Sequence, residues 1–145
     1  MIKGLCFSRA RRAASLLVLL LVTCGAASRA ELPPNVYKDL QAKSPEALVI
    51  KVLSVETKET DEPRLVRVSV TVKARVERVN RTNSGLKPGA AIRIRYEHRR
   101  HRAPMAGPSE VPVLKRGEVY PAYLRKAEAG DYSPAARGYS FQTVD

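Results

Sequence analysis

Between Val66 and Val76 the even positions read Val66, Val68, Val70, Val72, Ala74 and Val76, while the odd positions read Arg67, Ser69, Thr71, Lys73 and Arg75. Strict period-two alternation in β-branched residues predicts one long strand with a buried face and a wet face, and it excludes a helix. A slip of one residue would turn every valine to water, so the pairing of this strand is strongly specified. Upstream, Ala47 to Val55 is apolar on both alternating faces except at Lys51 and Ser54, which predicts a strand packed on both sides and placed centrally. The acidic stretch Thr57 to Pro63 between them is expected to turn the chain, and Asn80 to Gly89, rich in Asn, Gly and Pro, to turn it again. Ile92, Ile94 and Tyr96 then alternate with Arg93 and Arg95, giving a third strand whose outer face is lined with arginine.

Beyond Glu97 the alternation stops. His98 to Glu110 holds two prolines and a glycine among basic residues and reads as a loop. Val111 to Leu114 reads as a short edge strand, because Pro112 has no amide to donate to a ladder. Lys115 to Glu118 turns the chain into a strand over Val119 to Leu124, and a last short strand is expected around Tyr139 to Val144. Within an N-terminal segment, residues 31–45, Asn35 to Lys43 predicts a short helix entered after Pro33-Pro34, with Val36 and Leu40 on one side. Five to six short antiparallel strands in residues 46–145 predict an all-β domain, a small closed barrel or a compact sandwich.

The first thirty residues belong to a different class. Lys3, Arg9, Arg11 and Arg12 precede an apolar run from Ala13 to Val22 and the small-residue tract Cys24 to Ala30, the pattern of an export signal. The apolar run is about half of what a membrane-spanning helix needs. Ser28-Arg-Ala30 fits the small-x-small rule for cleavage before Glu31, with Gly25-Ala-Ala27 before Ser28 as a second fit. Leu21-Val-Thr-Cys24 resembles a lipobox whose Thr23 departs from the usual Gly, Ala or Ser, so a lipid anchor at Cys24 is the alternative. Residues after the Arg11-Arg12 pair are small, which argues against twin-arginine export. The expected location is therefore periplasmic or secreted, or lipid-anchored in the envelope. Both cysteines, Cys6 and Cys24, lie in the signal, so a chain starting at Glu31 forms no disulfide and folds by packing alone.

Charge adds a further bound. Five of the 26 Lys and Arg residues fall in the first thirty positions, which hold no acid, leaving 21 cations against 14 acids, or +7, for residues 31–145. The excess concentrates between Arg93 and Arg102, where Arg93, Arg95, Arg99, Arg100 and Arg102 and two histidines meet one glutamate. Such a patch attracts phosphates, sulfates and acidic glycans by salt-sensitive Coulomb forces. These five arginines are the candidate ligand-binding residues, and the expected partner is an acidic envelope protein, glycan or lipid surface. A solvated face that keeps the protein soluble is the other reading of the same residues.

The order of landmarks also resembles a family. Glu46-Ala-Leu-Val-Ile-Lys-Val52, the long valine strand, Gly85-Leu-Lys-Pro-Gly89 leading into Ile92, Leu114-Lys-Arg-Gly-Glu-Val-Tyr120, and Tyr132-Ser-Pro134 to Phe141 resemble the netrin-like, tissue-inhibitor-of-metalloproteinases-like OB barrels over most of residues 46 to 144. The resemblance implies an OB-like barrel and a binding module more than an enzyme. It carries no inhibitory residue across, because those inhibitors cap a protease zinc with an amino-terminal cysteine, and Glu31 would stand first here.

Catalytic chemistry has little to build on. His98 and His101 beside Glu97 are the only histidine cluster, and the guanidinium groups around them oppose a divalent cation, so a metalloenzyme using them is the weakest alternative. No Gly-x-Ser-x-Gly elbow, phosphate-cradling glycine loop or cofactor motif is present. Tyr96, Tyr120 and Tyr123 near the basic residues raise single-stranded nucleic acid as a ligand, but tyrosines at strand positions serve packing, and an exported protein meets little nucleic acid. Asn80-Arg-Thr82 matches a glycosylation acceptor in a turn.

Overall fold

A computed structural model describes residues 31–104 and 106–144. The export signal, its cleavage sites, Cys6 and Cys24 lie outside the described residues. One helix, α1 (Pro34–Lys43), precedes five strands: β1 (Glu46–Asp61), β2 (Leu65–Arg81), β3 (Ala91–His101), β4 (Val119–Lys126) and β5 (Tyr132–Pro134). The strands close into a barrel in the order β1-β2-β3-β5-β4, with β4 returning to β1. All pairings are antiparallel except β3 with β5, which run parallel and bridge only at Ile94 and Tyr132. This is a small OB-like all-β barrel.

The valine strand forms as its periodicity demands. Val66, Val68, Val70, Val72, Ala74 and Val76 are all buried and point into the barrel. Ile50, Val52, Ile92, Ile94, Ala122 and Leu124 meet them from the other strands, while Leu114 and Phe141 come from connecting segments. β1 serves two neighbours in succession. Glu46–Lys51 pairs with β4 as well as β2, whereas residues beyond Lys51 pair with β2 alone. Register shifts after Ala47, Val49 and Val52 let the strand bend as it leaves the closed part of the barrel.

Several boundaries differ from the sequence expectation. β1 runs on through the acidic stretch to Asp61, so the turn is confined to Glu62, Pro63 and Arg64. β3 continues to His101, so His98, Arg99 and Arg100 stand on a strand rather than in a loop. The alternation fades there because the inward positions no longer meet an apolar interior. His98 Nδ1 lies 2.9 Å from the Val111 carbonyl, and Arg100 reaches Glu59, while the ladder to β2 holds the backbone. Residues 111–114 run beside β3 without forming a strand, attached through Tyr96 Oη, which donates to the Pro112 carbonyl at 2.8 Å. The fifth strand is Tyr132–Pro134, not the Tyr139 region. There Ser140, fully buried, accepts from the Ala136 amide and donates to the Arg137 carbonyl, holding a tight 3-10 turn over Arg137–Tyr139.

α1 docks on the barrel through Tyr37 and Gln41, a face adjoining the expected Val36 and Leu40 side. Tyr37 packs on Tyr139 with ring centroids 4.1 Å apart, and Gln41 Nε2 donates to the carbonyls of Tyr139 and Gln142. Arg81 at the end of β2 donates to the Gln41 and Ser44 carbonyls, satisfying acceptors that the helix terminus leaves open. Gly89 takes φ +88°, a left-handed conformation that glycine adopts at little steric cost, and its amide donates to the Val76 carbonyl at 2.7 Å to start β3.

Candidate anion-binding surface

Successive residues of a strand face opposite ways, and this divides the basic cluster. Arg93, Arg95 and Arg99 lie on the outer face of β3, opposite Lys73, Thr71 and Arg67 of β2. Arg100 has the inward parity at the strand end, opposite Val66, and Arg102 follows β3, its amide donating to the Arg64 carbonyl at 3.2 Å. The five arginines that the sequence groups together thus occupy an outer ladder and a rim.

Each of the five meets a carboxylate. Asp131, just before β5, accepts from Arg93 Nε at 2.5 Å and Arg95 Nε at 3.0 Å. Glu97 accepts from Arg99 at 3.0 Å and from Arg67 at 3.3 Å, resolving the direct cross-strand opposition of two arginines. The Arg99 hydrogen bond is the main reason that the Glu97 carboxyl is held below its ordinary range, with the Arg67 charge adding to it. Arg100 pairs with Glu59 at 3.3 Å and Arg102 with Asp61 at 2.7 Å. The acidic arm of β1 and the basic end of β3 therefore flank β2, and their side chains pair across it.

The partners differ in burial, and that decides which arginines are available. Asp131 is only 5 % exposed, so it holds Arg93 and Arg95 as part of the barrel closure between β3 and β5. Glu59 and Asp61, with side chains 56 % and 77 % exposed, form solvated pairs with Arg100 and Arg102. Exposed ion pairs of this kind contribute from nothing to about 1 kcal/mol, so a multivalent anion can displace them. Asp131 carries no signal in the sequence. It is an isolated acid in a loop, and only the parallel approach of β5 to β3 makes it a clamp.

A second group of cations escaped the sequence reading because its members are far apart in the chain. Arg125 of β4 and Arg137 of the 3-10 turn join Arg95 around a cavity of about 490 Å³. Among the described residues no carboxylate lies within salt-bridge distance of Arg125 or Arg137.

The histidines do not converge. Three positions apart on a strand, His98 and His101 face opposite sides. His98 is engaged with the Val111 carbonyl, and His101 Nδ1 is buried without a partner. Among the described residues no group of three His, Cys, Asp or Glu is placed to hold a metal ion. Of the tyrosines, Tyr96 is tied to Pro112 and packs near Phe141, and Tyr120 Oη accepts from the Lys115 amide at 3.3 Å. No helix among the described residues is long and apolar enough to cross a membrane. Comparison with protein-family models, with curated proteins and with solved structures finds no match to this chain.

Proposed function

We propose that this chain is an exported, non-catalytic binding domain that engages an acidic partner of the cell envelope through the basic rim at the end of β3. The observation that carries the reading is the exposure of the acids paired with Arg100 and Arg102 at the end of β3. A polyanion offers these guanidinium groups several carboxylates, sulfates or phosphates at once, and it replaces single solvated partners at little cost. Net charge of +7 over residues 31–145 draws such a partner from a distance.

The rim also adjoins the β1–β2 turn, and OB barrels use that connection and the neighbouring strand faces to bind oligosaccharides and oligonucleotides. That support is an analogy of fold. A place among the netrin-like, tissue-inhibitor-like barrels, which the order of sequence landmarks resembles, would imply a binding role without transferring any inhibitory residue.

The test is binding of the purified protein to a sulfated polysaccharide and to anionic lipid vesicles across a salt series, beside a rim variant carrying Arg100→Ser and Arg102→Ser. Binding that weakens steeply with salt and is lost in the variant supports the rim as the recognition surface. Equal binding by the two proteins refutes it, and the polysaccharide and vesicle arms separate a glycan from a lipid partner.

A further inference from the structure

The groove between β3 and the β4–β5 pair has the construction of a small-ligand site. Its volume, about 490 Å³, lies within the range of small-molecule pockets. Three guanidinium groups line it, from Arg95, Arg125 and Arg137, together with the Tyr96 ring and the apolar side chains of Leu40 and Val111. Arginine's planar fork suits an oxyanion, while the apolar lining suits a ring.

Two features indicate that these cations are placed rather than merely exposed. Arg125 Nε donates to Ser133 Oγ at 3.3 Å across the β4–β5 register, which orients its guanidinium along the groove wall. Arg137 adopts φ +51°, a left-handed conformation unfavourable for a residue with a Cβ. The buried hydroxyl of Ser140 donates to the Arg137 carbonyl at 2.7 Å and the Ser140 amide donates to it at 3.1 Å, so the surrounding turn enforces the strain. A glycine at 137 would satisfy the same backbone without strain, yet a guanidinium stands there, and such strain gathers at binding sites.

We infer that this groove binds the phosphate or sulfate ester of a sugar-sized ligand, with the carboxylate-free Arg125 and Arg137 around the ester oxyanion, Arg95 staying on Asp131 at the groove wall, and the ring against Tyr96, Leu40 and Val111. The inference goes beyond the rim reading, since Arg125 and Arg137 lie outside the 93–102 cluster, and it stands whether or not the rim binds polyanions.

The experiment is calorimetric titration of the purified protein with glucose 6-phosphate, glucose 6-sulfate and glucose. Saturable binding of one or both esters, and none of glucose, is expected, and the two ester arms identify the oxyanion. Arg137→Gly keeps the left-handed backbone and removes only the side chain, so it should retain thermal stability and weaken ester binding at least about tenfold. Arg125→Ser should weaken it similarly, whereas the Arg100→Ser, Arg102→Ser protein should bind the ester as the parent does. Absence of saturable ester binding overturns the inference, as does equal binding of glucose or an equal loss in the rim variant.

Discussion

Asp131 accepts the Arg93 Nε hydrogen bond at 2.5 Å from a position almost sealed from solvent, next to the single bridged position that joins β3 to β5. The same carboxylate holds Arg95, so one acid anchors two rungs of the arginine ladder where the barrel has least backbone pairing. Asp131→Ala should therefore lower stability by about 1.5–3 kcal/mol, the range for hydrogen bonds to charged groups, read as a lower urea midpoint. Arg99→Ser, whose partner Glu97 is more solvated, should stay within about 0.5 kcal/mol of the parent. Similar costs for the two would contradict the assignment of the closure to Asp131.

Glu97 predicts an acid limb. Its carboxyl is held below the ordinary range chiefly by the Arg99 hydrogen bond, so the folded state binds that proton less readily than the unfolded chain. The stabilisation is present above the ordinary carboxyl range and is lost as pH falls through the depressed folded value. Glu97→Gln should flatten this part of the stability profile, by no more than about 1 kcal/mol for a pair so exposed. Parallel profiles of variant and parent between neutral and acid pH would contradict it.

Tyr96 predicts the opposite limb. Burial pushes its phenol up to about 12 from the ordinary 10.0, so the folded state keeps a proton that the unfolded chain releases. That contribution is whole below pH 10 and declines as pH rises from about 10 to about 12. Tyr96→Phe should remove this decline while losing the hydrogen bond to Pro112, which a thermal-unfolding series in alkaline buffers would show. An unchanged alkaline slope in Tyr96→Phe would assign the decline to other groups.

Gly138 has its role from close approach. A Cβ there would collide with the backbone carbonyl of Ser109, where the 106–118 connection crosses the last 3-10 turn. Gly138→Ala should cost about 1–3 kcal/mol, as overpacking does, and it should also disturb the neighbouring Arg137. A thermal midpoint equal to the parent would show that the connection can lift without cost.

The barrel was legible where the chain repeats a period. Val66 to Val76 announced its strand, face and register, and Ile92 to Tyr96 announced the next, because burial imposes the alternation residue by residue. β5 was not legible, since three residues with one bridge to β3 need no pattern of their own and are defined by Tyr132 and Asp131 meeting a distant strand. The rim was half legible. The sequence grouped the arginines correctly as neighbours in the chain, but Glu59 and Asp61, about forty residues away, reach Arg100 and Arg102 only through the β1–β2–β3 register. Arg125 and Arg137 gave no signal for the same reason.

The competition between Arg100 and Arg102 and their acidic partners provides the most direct test of the proposed recognition surface. The salt concentration that elutes the protein from an immobilised sulfated polysaccharide should be measured for the parent, for Glu59→Gln with Asp61→Asn, and for Asp39→Asn with Glu128→Gln, which changes net charge equally elsewhere. If the rim is the recognition surface, freeing its arginines should delay elution clearly beyond the shift in the charge-matched control. Equal shifts in the two variants would show that the polysaccharide senses net charge alone, and the rim would then be a solvated face.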